Sequence, residues 1–420
     1  MKKFSLRLSM IIAVCFMLQS CVKDTLQTTY TYFLPVYKSK IEVWQSIRSA
    51  PPRPLQKTGK LFLYGRYIFI NEINKGVHII DNANPRAPKN VSFIDIPGNL
   101  DIAVKNNMLY ADLYTDMVTV DIGDPANIVL KKVSSKVFPE RDYINGFAVD
   151  SSQYIIDWVK RETTNKNELN DNKSLMQSGP WFDAMLLSSN AGTKVIGVSG
   201  SMARFTIVNN YLYTVGRSDL TAFNIASPAD PLMENLQTLG WNIETIYPLK
   251  DKLFIGSQTG MFIYSIADPA SPAFLGSFSH ACFNDPVIAD DQYAYVTLRA
   301  NTNASACWGA VAAQRNELDI VNITNILQPF LEKVYDMSEP KGLSKDGDHL
   351  FICDGKAGLK IYNTANVHDI QLVENIGHIN PFDVICQAGL AIVVADEGIY
   401  QYDYTNINNI TLISKIAIDK

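Results

Sequence analysis

A short apolar strand followed by a turn returns along the whole chain, and this limits what the chain can fold into more than any other feature. It reads GVHIIDNANPRAP at 76, DMVTVDIGDPANI at 116, DLTAFNIASPADP at 219 and GMFIYSIADPASP at 260. Further copies are ELDIVNITNILQP at 317, GLKIYNTANVHDI at 358 and GIYQYDYTNINNI at 398, with a worn one, FDAMLLSSNAG, at 182. The fourth positions of the HIID-like strand cores are Asp81, Asp121, Ser188, Asn224, Ser265, Asn322, Asn363 and Asp403, in steps of 40, 67, 36, 41, 57, 41 and 40 residues. A recurring period of this length, stretched twice, marks a repeat architecture rather than several unrelated domains.

Each period holds four short strands. In the first they are KLFLYG, YIFINE, GVHIID and NVSFIDI, with a turn between each pair. Four strands in this length is the size of a propeller blade. The strands are apolar on both faces, as expected when a neighbouring sheet covers each side. A solenoid of stacked units would use shorter repeats and a polar cap, whereas the last repeat runs complete to LISKIAID. The expected fold is therefore all-β, a closed β-propeller over residues 59–420. Eight copies imply eight blades, or seven if the worn copy is absorbed by its neighbours.

The strand ending in Asp or Asn before a DP or NP turn resembles the LVIVD repeat of bacterial surface and secreted propellers. VTVDIGDP and LDIVNITN are the nearest copies, and Ser188 and Ser265 depart from the pattern. The resemblance implies a fold and no particular chemistry.

The N-terminus carries an address. MKKFSLRLSMIIAVCFMLQSCVKD has a basic start and an apolar run from Met10 to Leu18, too short to span a bilayer as a helix. Leu18-Gln19-Ser20-Cys21 resembles the lipobox of bacterial lipoproteins, which implies cleavage before Cys21 and acylation of its thiol. The following Lys23-Asp24 loosely resembles the surface-export tag of Bacteroidetes lipoproteins. The expected organisation is a signal peptide over 1–20, a tether over 21–58 ending in the stiff APPRP, and the propeller beyond. The expected location is the outer membrane, periplasmic or surface-facing. The formal charge is −5, and the basic residues of the leader contribute to it, so no basic stripe remains for nucleic acid.

Motifs for chemistry are sparse. There is no HExxH, P-loop or Cys-x-x-Cys, and the five histidines share no ligand-like spacing, so no metal or cofactor is expected. GVSGS at 197 fails the G-x-S-x-G pattern at its last residue and reads as an outer-strand turn. Asp81, Asp121 and Asn363 read as turn-forming residues that bond to their own backbone.

The innermost strands say more. They begin LDIAV at 100, ARFTI at 203, IETIY at 243, NDPVI at 284, PKGLS at 340 and FDVIC at 382. This sets Asp101, Arg204, Glu244, Asp285, Lys341 and Asp383 around the channel mouth, either neutralising one another or binding a ligand. The two long steps place insertions between second and third strands, on the face where the inner strands begin. One insertion carries Trp158, Lys160, Arg161, Trp181 and Phe182, and the other Arg299, Trp308 and Arg315. Aromatic and Arg side chains anchor interfaces, so Trp181, Arg299, Trp308 and Arg315 are the candidate contacts. The competing reading is that the tryptophans pack the loops onto the blades.

Cys282 and Cys307 flank one blade's core strands on this face and are expected to pair in an oxidising compartment, while Cys353 and Cys386 read as buried thiols. The reading is a lipid-anchored binding or protein-interaction module for a glycan, peptide or envelope protein. The alternative is a lyase or hydrolase of surface glycans using an acid/base pair from Asp101, Glu244, Asp285 and Asp383. The address has a direct test. Cys21→Ala should leave the protein unlipidated and released from membranes, and retention of the variant in salt-washed membranes would contradict the anchor.

Overall fold

The computed structural model describes residues 27–144, 147–148, 150–166, 188–189, 198–240, 242–280, 283–284, 286–300 and 315–419. The chain divides into two units, Met1–Val36 with Asp157–Trp181, and Tyr37–Ile156 with Phe182–Lys420. The described part of the first, residues 27–36 and 157–166, belongs to two paired strands, Gln27–Ser39 and Gln153–Lys166.

The second unit is a propeller of seven blades, each an antiparallel meander in chain order. Their inner strands are Thr58–Tyr64, Ile102–Lys105, Phe205–Val208, Ile243–Leu249, Val287–Ala289, Leu343–Asp346 and Pro381–Gln387. Each inner strand touches the next, and the seventh returns to the first, so the ring is closed.

Apolar seams hold the ring. One buried cluster runs from Phe62 and Val77 of blade 1 through Val104 and Val118 of blade 2 to Phe205 and Leu212 of blade 3. Further clusters join blades 3 and 4 (Tyr213, Ile255), 4 and 5 (Ile263, Val296), and 5 and 6 (Tyr295, Leu350). The last two seams join blades 6 and 7 (Phe351, Val393) and 7 and 1 (Ile392, Ile68). Polar ties cross the same gaps: Tyr110 Oη of blade 2 donates to Pro228 O of blade 3 at 2.8 Å.

Blades 2 and 3 are thus direct neighbours, which corrects the preferred count of eight. Among the described residues the worn copy forms no eighth blade. Its supposed second strand lies within Gln153–Lys166, which pairs with Gln27–Ser39, and WFDAMLL lies outside the described residues. The long insertion consequently joins the outer strand of blade 2, Val129–Ser134, to the inner strand of blade 3. In a four-stranded meander the second and fourth strands end on the same face. This insertion and the one between Tyr293–Ala300 and Glu317–Asn322 therefore still leave the ring from one face.

Two local rules explain the repeated motif. Its last polar residue makes an Asx-type turn: Oδ1 of Asp81, Asp121, Asn363 and Asp403 accepts the amide two residues on at 2.9, 3.0, 2.9 and 3.0 Å. Its first residue is often glycine because the neighbouring strand leaves no room. A Cβ on Gly76, at φ 148°, would lie 1.9 Å from Ile94 O.

Residues 37–58, expected as tether, are instead built into the propeller unit. The helix Lys40–Gln45 starts with a capping box between Ser39 and Glu42. Lys40 reaches a buried knot in which its Nζ lies 2.8 Å from Asp116 Oδ2. Tyr154 Oη donates to the same oxygen at 2.6 Å, and Trp44 Nε1 donates to Tyr154 Oη at 3.0 Å. Arg48–Ala50 then adds a strand to the outer edge of blade 1. Leu55 bridges to Ile418, just past the last strand Thr411–Ala417, drawing blades 1 and 7 together.

The knot gives a prediction. Lys40→Ala leaves the Asp116 carboxylate, fully buried, without its cation, and breaking such a pair costs about 3 kcal/mol. Denaturant unfolding should show a loss of this size, whereas Lys38→Ala, two residues earlier in the ribbon strand, should leave stability nearly unchanged.

Candidate functional site

Charge gathers where the inner strands begin. Asp101 is 2% exposed, and its Oδ2 accepts the Arg204 amide at 2.6 Å and lies 3.9 Å from Lys60 Nζ. Asp112 secures the approach to it. Its Oδ1 accepts the amides of Leu100 and Asp101 at 2.7 and 2.9 Å, and its Oδ2 accepts from Arg141 Nη1 at 2.7 Å. Arg204 Nη2 donates to Ile243 O at 3.2 Å, and Glu244 Oε1 accepts from Gln258 Nε2 at 2.9 Å. Asp383 comes so close to Gly342 that a Cβ there would lie 2.5 Å from its Oδ1. Lys341 pairs with Glu339 at 3.2 Å.

Within this ring the channel is filled by the chain itself. Val198–Ser199 adds an antiparallel strand to the inner strand of blade 1, opposite Leu63 and Phe62. Gly200 N donates to Leu61 O at 3.3 Å, and Ser201–Met202 pairs back on Ser188–Ser189. Leu343 N of blade 6 donates to Ser201 Oγ at 2.8 Å, and Ile246 N of blade 4 donates to Ala203 O at 2.8 Å. Lys60 Nζ donates to Met202 O. Ser201–Met202 also lies against the inner strands of blades 5 and 7. Only a strand inside the ring can meet blades 1, 4, 5, 6 and 7 together. GVSGS is therefore a channel segment and not an outer-strand turn.

Enclosure shows in the ionisation of the ring. Burial pulls the Lys60 ammonium down to about 8, while Asp101 draws it back up. Burial raises the Asp101 carboxyl, opposed by Lys60 and the Arg204 amide. Asp101, Arg204, Glu244 and Asp383 are all nearly inaccessible, so these four of the six residues read as a charged mouth are buried side chains, while Lys341 is half-buried.

The other expected site residues are divided. Arg299 is half-buried in the second strand of blade 5, opposite Asn284. Arg315 is exposed and its charge lowers the proton affinity of Glu317, which burial raises. Beside them Asp319 is pushed up to about 7 by burial and by the Glu317 charge. Cys21, Trp181, Cys282, Asp285, Cys307 and Trp308 lie outside the described residues. Cys353 and Cys386 are buried free thiols, as expected. Lys60, Asp112 and Arg141 were missed by the sequence reading. Lys60 had a usable signal, since it occupies in blade 1 the register position of Asp101 in blade 2.

The class defined by fold and ring is a seven-bladed, all-β propeller with a self-filled channel. More particularly, residues 57–94 and 99–134 match the LVIVD repeat, in two tandem copies that coincide with blades 1 and 2. No curated protein matches the chain. Among solved structures, a protein from Lactobacillus plantarum is similar with a TM-score of 0.51 at 8% identity, over 86% of this chain and 96% of that one. BamB from Moraxella catarrhalis is similar with a TM-score of 0.47 at 8% identity, over 89% and 92% of the two chains. PorZ, a surface component of the type-IX secretion system of Porphyromonas gingivalis, gives 0.46 at 14% identity, over 89% of this chain and 39% of that one. At such identities the likeness is one of fold.

These buried charges make a pH prediction. Lys60 titrates at about 8 in the folded chain and at roughly 10.4 when unfolded. Between these values the folded chain binds fewer protons, so the Lys60 contribution to stability rises with pH. Asp101, Asp112, Asp383 and Arg204 are the charges that act on it. Comparing wild type with Lys60→Met removes the titrations the two share and leaves Lys60 together with the Asp101 carboxyl it faces. The difference in unfolding free energy between the two proteins should move in favour of wild type from about pH 7.5 to about pH 10, and a constant difference would contradict a desolvated amine.

Proposed function

We propose that the chain is a binding or protein-interaction module of the bacterial envelope, anchored through acylated Cys21. Its partner, a glycan, peptide or envelope protein, is held on the face from which both insertions leave. One observation carries this reading: both insertions leave the ring from one face, and the chain's own segment 198–203 lies in the channel beneath it. The leader and the repeat resemblance support the address. The disulfide between Cys282 and Cys307 belongs to the same proposal, as a brace for the blade 5 insertion.

The glycan lyase or hydrolase reading needs its acid and base in contact with substrate. Asp101, Glu244 and Asp383 are 2%, 5% and 2% exposed, which weighs toward binding.

The test uses a soluble chain from residue 22, without the acylated Cys21, because residues 37–58 are part of the fold. Trp181 and Trp308 are the proposed anchors, with Arg299 and Arg315 orienting polar groups. Truncating a true anchor costs more than about 2 kcal/mol, roughly thirtyfold in affinity. In pull-down and glycan-array measurements Trp308→Ala and Arg299→Ala should weaken capture while the melting temperature stays nearly unchanged. Lys89→Ala, on the exposed outer strand of blade 1, should change neither. Capture that survives both insertion variants but fails when the NPRAP-side turns are altered would assign binding to the opposite face.

A further inference from the structure

The segment that fills the channel belongs to no blade. Neighbouring inner strands touch one another all round the ring, so ring closure does not pass through residues 198–203. The segment is seated chiefly as a strand. It pairs with Leu63 and Phe62 through its backbone, and its side chains from Ser199 to Ala203 are small apart from Met202. Burial of such residues contributes little apolar area. Seating also takes Lys60, Asp101 and Arg204 out of water, and desolvating charges opposes the gain from the hydrogen bonds.

The seat has its own chemistry. Three donors from three different blades meet oxygens of the segment: Lys60 Nζ at Met202 O, Leu343 N at Ser201 Oγ, and Ile246 N at Ala203 O. The inner strand of blade 1 supplies an edge, with Leu61 O accepting the Gly200 amide at 3.3 Å. An exposed strand edge with donors placed for successive carbonyl and hydroxyl oxygens is a means of recognising an extended peptide. We infer that the channel is a strand-acceptor site occupied in cis, and that an extended peptide with small residues and a hydroxyl at the Ser201 position can replace the resident segment. This deepens the binding-module reading and rests on it only for the class of partner. It concerns the channel, whereas the insertion side chains concern the rim.

Replacement has an energetic condition. The resident strand is tethered, so it competes at an effective concentration in the millimolar range, and a free peptide loses unless the resident is weakened. Gly200→Pro removes the amide that donates to Leu61 O, and Ser201→Ala removes the acceptor of the Leu343 amide. Neither residue belongs to a blade.

The experiment uses the same soluble chain, the double variant Gly200→Pro/Ser201→Ala, and a fluorescent peptide of sequence GVSGSMAR. Hydrogen exchange is followed at the amides of Ile246 and Leu343, with Val104 and Ile385 as inner-strand references. The expected result is faster exchange at Ile246 and Leu343 than at the references, more so in the variant. The peptide should bind the variant at least about tenfold more tightly than wild type and slow exchange at Ile246. Lys89→Ala in the variant background should leave peptide binding unchanged, as expected of an exposed residue outside both the channel and the rim. A folded variant that binds no peptide overturns the inference. Should the double variant not fold, Ser201→Ala alone and wild-type exchange decide: Leu343 and Ile246 exchanging only as slowly as Val104 and Ile385 would show a permanent core strand.

Discussion

Every blade of this protein is a sheet with two apolar faces, and neither face tolerates water. Val77 and Ile79 point to one side of blade 1 and pack in the seam toward blade 2, while Ile68, Ile70 and Ile80 pack toward blade 7. A single blade could bury one face at most. A closed ring buries both faces of all of them at once, and the remaining architecture depends on this condition. It explains why the chain just past the last strand meets Leu55 near the start of the ring, since an open seam between blades 7 and 1 would expose two such faces together.

Closure creates a second problem at the centre. Inner strands carry backbone groups and polar side chains into a narrow space, and buried polar groups need partners. Here a segment of the same chain supplies them. Its backbone completes the edge of blade 1, its Ser201 hydroxyl accepts from blade 6, and Lys60 is satisfied by a carbonyl. Four of the charges that look like a ligand mouth on paper are thereby buried side chains. The electrostatic consequence is a lysine and an aspartate both pushed toward their neutral forms by burial.

Much of the fold could be read along the chain because blade packing imposes local signatures. GVHIID shows two apolar faces and a turn-forming last position, and both were observed for their expected physical reason, whereas the crowding at Gly76 appears only in the structure. Among the described residues, Asp101, Arg204, Glu244, Lys341 and Asp383 lie at or beside the starts of inner strands, since register within a meander follows the strand order. What failed was the worn copy. FDAMLLSSNAG has blade-like spacing, but spacing does not report which neighbour a strand finds. Gln153–Lys166 pairs with Gln27–Ser39, a partner more than a hundred residues away. Lys60 was overlooked because KLFLYG was read for its apolar alternation, and its kinship with Asp101 appears only when the turns are aligned.

The sequence by itself determined the repeat, the four-stranded blade and the turn chemistry, because these depend on interactions within about forty residues, the length of one repeat. It also marked which residues begin the inner strands. The tertiary structure alone decided the number of blades, the use of residues 37–58 as a strap, and the fate of the channel. Each of these depends on contacts between distant segments, such as Lys40 with Asp116 or Ser201 with Leu343. Local pattern cannot specify such pairings, since the same GVSGS would make an ordinary turn on the surface and becomes a buried strand only where a closed ring surrounds it.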